Sequence, residues 1–237
     1  TATTETPKVS WKDPPPFDYR YDYSAAGTRR SVEDSLQRLG LDRIDTLYLH
    51  DPDDHLDQAI AEAYPALAKL REEGLISNVG AGMSNAPALE RIVRETTVDE
   101  IMLAGRYTLM DRSAADSLLP ICLEKKVNVV AVGVYGSGLL ADPKPGAYYD
   151  YRAATDDEID TAVDFRDAFA QHGIPLQAAA IQFPLQHPAI SSVGIGARNA
   201  TQSKGNVDFF NWNIPSALWR ELKAPASIRN SRGIGDM

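Results

Sequence analysis

The chain has 237 residues, 43% of them hydrophobic, enough for one sizeable core, and a formal net charge of -9. That charge excludes a broad basic face for nucleic acid or anionic lipid, no apolar run is long enough to span a bilayer, and the single cysteine, Cys122, excludes an intramolecular disulfide framework. The expectation is a cytoplasmic protein with one domain over residues 1–237, whose partner is a small molecule rather than nucleic acid or a membrane.

The start, TATTETPKVSWKDPPPFDY, is polar and proline-rich without the apolar stretch of a signal peptide, and residues 1–27 are expected to be irregular. From Thr28 onward helices and strands alternate. TRRSVEDSLQRLG places Val32, Leu36 and Leu39 at helical spacing and ends on Gly40, a glycine stop. IDTLYLHD reads as a strand, LDQAIAEAYPALAKLREEG as a helix with Pro65 inside it, and ISNVGAGMSN as a short strand of small residues. APALERIVRE reads as a helix, EIMLAGRYTL as a strand, and SAADSLLPICLEKK as a helix. VNVVAVGVYG is an almost wholly apolar strand, of the kind buried on both faces of a parallel sheet. A polar loop, ADPKPGAYYDYRAAT, leads to the helix DDEIDTAVDFRDAFAQHG. The helix PLQAAAIQFPLQ, the short strand AISSVGIG and the helices NATQSKGNVDFF and PSALWRELK follow.

Strand–helix units of about 30 residues specify a parallel α/β protein, either a barrel or a doubly wound sheet. Both architectures place function at the C-terminal ends of the strands. The residues there are His50 and Asp51, Ser84 and Asn85, Arg106 and Tyr107, Ser137 and Gly138, and Gly196 and Arg198. Strand ends are also polar in proteins with no site at them.

In LYLHDPDDH, the trio His50, Asp51 and His55 is close enough in sequence to share zinc or iron. Against metal, successive residues of an extended chain point to opposite faces, Pro52 turns the chain, and the other histidines, His172 and His187, lie late in a helix and before a proline. No metal site is expected, and Asp53, Asp54 and His55 read as a solvated acidic loop. His50, at the end of an apolar strand, has three readings: a satisfied core histidine, a general acid or base, or a donor that orients a substrate oxygen.

Six segments resemble the aldo-keto reductase family, and within it the sugar 1-dehydrogenase branch. They are YDYSAAGTRRSVEDSLQRLGLDRIDTLYLHDPDDH, GAGMSN, AGRYTLMDRSA, YGSGLLADP, IQFPLQHPAISSVGIGARNATQSKGNV and IPSALWRELK, which span almost everything after Tyr21 in the family's order. The resemblance implies a (β/α)8 TIM-type barrel that binds an extended NADP or NAD without a Rossmann domain, consistent with the absence of a G-x-G-x-x-G opening after a first strand.

It further implies that His50 directs the substrate oxygen and its proton, and that Ser84 and Asn85 hold the nicotinamide carboxamide. Ser137, Gly138 and Leu139 would lie along the pyrophosphate, and Gly196, Ala197, Arg198, Gln202 and Asn206 would hold the adenosine end. Ser84 and Asn85 also suit a helix N-cap, and Arg198 an ordinary surface arginine.

The match has gaps. The family works with Asp, Tyr, Lys and His, and no segment here matches the aspartate and tyrosine of its second strand. TPKVS resembles the strand around the lysine, which makes Lys8 the candidate and Lys12 the runner-up; an exposed lysine in an irregular terminus is the ordinary alternative for both. Tyr19, Tyr21 and Tyr23 are nearby phenols whose ordinary reading is packing. Ala104 stands where many members have glutamine, Val132 where many have an aromatic, and Gly205 in place of an acidic residue; Gln202 lacks the charge that favours a 2′-phosphate.

With the first two β/α units not evident, the barrel is expected to be incomplete or rearranged, with edge strands that invite homo-oligomerisation. The expected function is NAD(P)-dependent hydride transfer with an aldose or small aldehyde; the alternative is a catalytically silent barrel that binds NAD(P) or a partner without turnover.

Overall fold

In the computed structural model, which describes residues 21–222 and side chains as far as Trp219, the first helix begins earlier than its apolar spacing shows. Ser24 caps α1 (Ala25–Leu39): its Oγ accepts from the Gly27 amide at 3.0 Å. The helix therefore takes in Ala25 to Gly27, which were expected to be irregular, because a serine cap fixes a helix start without any apolar signal. Gly40, at φ 66°, ends the helix by donating its amide to the Leu36 and Gln37 carbonyls.

The strand β1 (Ile44–His50) is followed by a 3-10 turn, Asp53–His55. The single helix expected next is broken into α2 (Leu56–Gln58), a π-helical stretch Ala59–Ala63, and α3 (Tyr64–Glu72). Pro65 explains the break: it has no amide to donate and its ring crowds the Ala61 carbonyl, and the wider π turn just before it makes room.

The strand β2 (Ile76–Met83) and the helix α4 (Ala86–Glu95) follow the sequence reading closely. The strand β3 (Glu100–Ala104) stops well short of the expected end, because Gly105 at φ 74° turns the chain out of the sheet. The helix α5 (Leu118–Lys125) starts five residues after the 3-10 turn Ser113–Ala115 begins. A helix running continuously from 113 would need an amide that Pro120 lacks; placed in the first turn, the proline leaves no helical bond unmade.

After β4 (Asn128–Val132) come a 3-10 turn, Gly136–Gly138, and a small antiparallel hairpin, β5 (Tyr148–Tyr149) with β6 (Arg152–Ala153), in the segment expected to be a plain loop. The helix α6 (Asp156–Ala170) opens on a capping box between Thr155 and Glu158. The helix α7 (Leu176–Gln182) gives way to a 3-10 turn at Pro184, and β7 (Ile190–Gly194), α8 (Ala200–Phe210) and α9 (Ser216–Leu222) complete the described chain.

Among the described residues five strands form one parallel sheet in the order β1-β2-β3-β4-β7, each joined to the next through helical segments, which is the TIM-barrel type of α/β architecture. Among the described residues β1 and β7 are its edges. One face is buried beneath the helices: Leu49, Val79, Ala81, Ile101, Leu103, Val129 and Ala131 meet Leu67, Leu89, Ile92 and Leu118. The opposite face is open, with His50 exposed and Tyr48, Met102, Ala104, Val130 and Val132 only half-buried. The expectation that β4 is buried on both faces is thus overturned, since alternate residues of that strand look onto the half-exposed face.

Register stacks that open face in rows. Tyr48, Gly80 and Glu100 are neighbours in one, and His50, Gly82, Met102, Val130 and Ser192 in the next. The Tyr48 hydroxyl donates to the Glu100 carboxylate across Gly80.

Candidate functional site

The C-terminal ends of the parallel strands carry the candidate residues along one edge of the sheet. His50 ends β1, opposite Gly82, and its side chain is 82% exposed, so the reading as a satisfied core histidine is set aside. Its backbone is fastened: the buried Tyr23 donates its hydroxyl to the His50 carbonyl at 2.6 Å. Burial raises the Tyr23 phenol well above its ordinary pKa, helped by Tyr21, Asp51 and Asp53 nearby, which makes Tyr23 a support for His50 rather than a proton source.

Asp51, at φ 45°, brings Oδ2 to 3.6 Å from His50 Nε2. His55, expected in a solvated loop, is exposed but lies beside the rings of Tyr21 and Tyr23, at 6.2 and 5.6 Å. Among the described residues no three His, Cys, Asp or Glu side chains gather to hold a metal ion. A cavity of about 390 Å³ runs beside β1 from Leu47 to His50 and along α1 from Gly27 to Arg38, with Tyr23 on its wall.

At the end of β2, the Ser84 carbonyl accepts from Arg106 Nε at 2.9 Å, and Asn85 Oδ1 caps α4 by accepting from the Ala88 amide at 3.1 Å. The capping role expected as an alternative for this pair is therefore present at Asn85. Next along the edge, Ala104, Gly105, Arg106, Gly133, Gly136, Ser137 and the hairpin tip enclose a cavity of about 130 Å³. Ala104, whose methyl stands where many family members carry glutamine, lines this cavity, and Val132 is its register partner on β4.

The loop after β4 is held in an unusual shape. Ser137 sits at φ 56° and its Oγ accepts from the Tyr151 amide at 3.0 Å, while Gly138, at φ 106°, has open space where a Cβ would stand. Leu139 is fully buried and pins the loop to the core.

Beyond β7, Gly196 also faces open space, and Arg198 donates its amide to Gln202 Oε1 at 2.8 Å. Asn199 caps α8 through the Gln202 amide at 2.9 Å. Asn206 Oδ1 accepts from the Tyr135 hydroxyl at 3.0 Å, and its Nδ2 donates to the Gly196 carbonyl at 3.4 Å. Burial pushes the Tyr135 phenol up to about 12, so it stays a donor at neutral pH.

Arg106 and Tyr135 are the two organising residues that sequence reasoning left without a role. Arg106 stood out only as a charge at a strand end. Its partners Asp111 and Asp150, at 3.2 and 3.1 Å, lie 5 and 44 residues away, and the second separation gives no pattern to read. Lys8 and Lys12 lie outside the described residues.

From His50 on β1 to Gly196 beyond β7 the candidates cross five neighbouring strands, roughly 19 Å measured along the sheet at about 4.8 Å per strand spacing. A ligand touching both ends is extended, not compact.

The model of the aldo/keto reductase family matches residues 5–226. D-threo-aldose 1-dehydrogenase of a Pseudomonas species is 45% identical over 212 residues, which cover 87% of this chain and 64% of that protein. Pyridoxal 4-dehydrogenase of Microbacterium luteolum is 36% identical over 223 residues, covering 90% of this chain and 64% of that one. The holo form of an aldo-keto reductase from Bacillus halodurans superposes with a TM-score of 0.71 at 28% identity, covering 85% of this chain and 67% of that structure. The chain thus spans just under two thirds of the length of these two curated relatives.

Proposed function

Because the chain belongs to the aldo/keto reductase family, we propose that it is an NAD(P)-dependent oxidoreductase that moves a hydride between the nicotinamide and an aldose or small aldehyde. The observation that carries this reading is the order of the candidates along one sheet edge: His50, then Ser84 and Asn85, then Ser137 and Gly138, then Gly196 to Asn206. That order suits one extended dinucleotide with its reactive ring near His50. Open space where a Cβ would stand at Gly138 and Gly196 supports a dinucleotide path along this edge, and the Ser84 hydroxyl and the Asn85 amide are the groups proposed for the carboxamide. The curated relatives named for an aldose and for pyridoxal support a polar carbonyl or hemiacetal substrate.

The nicotinamide, when bound, supplies the hydride acceptor or donor. The chain supplies the rest. Ser84 and Asn85 hold the carboxamide and so choose the ring face turned toward the substrate. The buried Leu139 fixes the loop in which Ser137 and Gly138 line the pyrophosphate path, and Arg198, Gln202 and Asn206 hold the adenosine end. Oxidation of an aldose removes a hydride from C1 and a proton from the C1 hydroxyl to leave a lactone. His50 hydrogen-bonds that hydroxyl and takes its proton, with the Asp51 carboxylate 3.6 Å away to stabilise the resulting imidazolium. Lys8 is assigned to the same proton step. Gln202, neutral and already engaged with the Arg198 amide, favours NAD over NADP. Homo-oligomerisation and a cytoplasmic setting complete the proposal.

The test is turnover followed by absorbance of the reduced nicotinamide, with NAD and NADP each offered with a panel of aldoses. His50→Ala is expected to lower kcat by about 10²–10⁴-fold while cofactor affinity changes little. Absence of turnover in both directions by folded protein would refute the reading and favour binding without catalysis.

A further inference from the structure

We propose that Asp51 is a specificity-determining residue that accepts a hydrogen bond from the hydroxyl on the carbon next to the one oxidised, so that His50 and Asp51 together recognise two vicinal hydroxyls of an aldose; the inference rests on the functional reading above. Successive side chains of an extended chain point to opposite faces, and β1 continued past His50 would turn Asp51 away from it. The chain does otherwise. Asp51 takes φ 45°, and its side chain comes back beside the imidazole, with Oδ2 3.6 Å from His50 Nε2.

That backbone is costly. A left-handed aspartate is uncommon, and this one precedes Pro52, a position that favours extended backbone. It persists because the chain is held on both sides of it. The Asp51 amide donates to the Gly82 carbonyl at 3.0 Å, and the Tyr23 hydroxyl holds the His50 carbonyl at 2.6 Å. Beyond Asp51, Pro52 is buried and its carbonyl accepts from the His55 amide at 2.9 Å. The result is one carboxylate fixed beside one imidazole.

Among the described residues no group donates a hydrogen bond to the Asp51 carboxylate, whose side chain is 48% exposed. The carboxylates of Asp22, Asp111 and Asp150, by contrast, are already engaged by Ser24 and Arg30 or by Arg106. An ionised carboxylate only accepts, and a hydroxyl that donates to it makes a charge-assisted bond. With the C1 hydroxyl on Nε2, the 2-hydroxyl of an aldose stands one carbon away. Oxygens on neighbouring carbons have the short spacing that two acceptors 3.6 Å apart serve together. Half exposure lets water replace a missing hydroxyl, so the selection is about 10–100-fold, well below that of a dry site.

The test compares kcat/KM for an aldose and for its 2-deoxy counterpart, read by absorbance of the reduced nicotinamide, in wild type, Asp51→Gly and Asp51→Asn. Glycine suits the positive φ and removes the carboxylate; asparagine also tolerates that backbone and keeps an acceptor oxygen without the charge. Losing the carboxylate also weakens support for the His50 imidazolium, which slows both sugars alike, and any intrinsic difference in their reactivity is the same in every variant. The ratio of the two kcat/KM values therefore isolates the 2-hydroxyl. It is expected to fall about 10–100-fold in Asp51→Gly and by less in Asp51→Asn. A wild-type ratio retained in Asp51→Gly overturns the proposal, and should that variant not fold, a wild-type ratio in Asp51→Asn overturns it instead. Either result, obtained with turnover of the parent aldose, leaves the functional reading standing. No reduced nicotinamide from folded wild type with any aldose overturns that reading and this inference with it.

Discussion

Replacing Gly80 by alanine tests how tightly the sheet is built beneath His50. An ideal Cβ at Gly80 would lie 2.6 Å from Tyr48 Cδ1 and 2.8 Å from the Glu100 carbonyl oxygen, and the second of these is backbone of the neighbouring strand. Overpacking of this kind costs about 1–3 kcal/mol. Displacing the Tyr48 ring also breaks its bond to the Glu100 carboxylate, worth about 1 kcal/mol at this half-exposed position. The lower chain entropy of alanine in the unfolded state offsets roughly 0.4–1 kcal/mol. The net expectation is a loss of about 2–3 kcal/mol, which for a urea m-value of about 2–3 kcal/mol/M lowers the midpoint by about 1 M. A double-mutant cycle separates the two clashes: with Tyr48→Ala already present only the backbone contact remains, and the cost of Gly80→Ala is expected to fall by about half. Unfolding followed by circular dichroism and tryptophan fluorescence reads both quantities. A Gly80→Ala midpoint equal to wild type, or a cost unchanged by removing Tyr48, would refute this account of the sheet's open face.

Two further consequences concern titrating groups. The Arg152 guanidinium beside Glu158, opposed by burial and aided by the Thr155 amide, holds the Glu158 carboxyl down to about 2. A carboxyl with a depressed folded pKa stabilises above its unfolded value and loses that contribution as pH falls through the folded one. Wild type is therefore expected to exceed Glu158→Gln in stability by up to about 1 kcal/mol at pH near 6, a small figure because Arg152 is exposed. The gap should close between pH about 4.5 and about 2 in urea melts, and a gap independent of pH would contradict the pairing. Cys122 is fully buried, and burial, with Glu90 nearby, pushes its thiol up to about 12. Ellman's reagent is expected to label the folded protein only as fast as the protein unfolds, so labelling of native protein within seconds would show the packing around α5 to be wrong.

The helices were legible wherever apolar spacing and caps agreed. APALERIVRE matches α4 residue for residue because Asn85 supplies the cap and Ala88, Leu89, Ile92 and Val93 are its buried positions. The breaks were legible only in part. Pro65 marked its helix as irregular, but the π turn that accommodates it depends on packing that no local pattern encodes. The openness of one sheet face was also hidden: Val130 and Val132 look like core residues in sequence, and their half-exposure follows from how the strands are arranged, not from the residues themselves. At the site, His50 stood out because it follows an apolar strand. Arg106 stood out only as a strand-end charge without a role, because its partners Ser84 and Asp150 lie 22 and 44 residues away and meet it only through the fold. The hairpin escaped notice because its turn uses Asp-Tyr in place of a glycine-bearing pair, so the usual signal is absent.

The central claim is direct hydride transfer at the edge defined by His50, Ser84 and Ser137, and isotope transfer tests it most directly. An aldose carrying deuterium at C1 is incubated with NAD or NADP and the protein, and the reduced cofactor is weighed by mass spectrometry. The account predicts one deuterium at C4 of the nicotinamide, on a single ring face, with the rate strongly lowered in His50→Ala. Reduced cofactor without deuterium, or no reduced cofactor from folded wild-type protein, would contradict it.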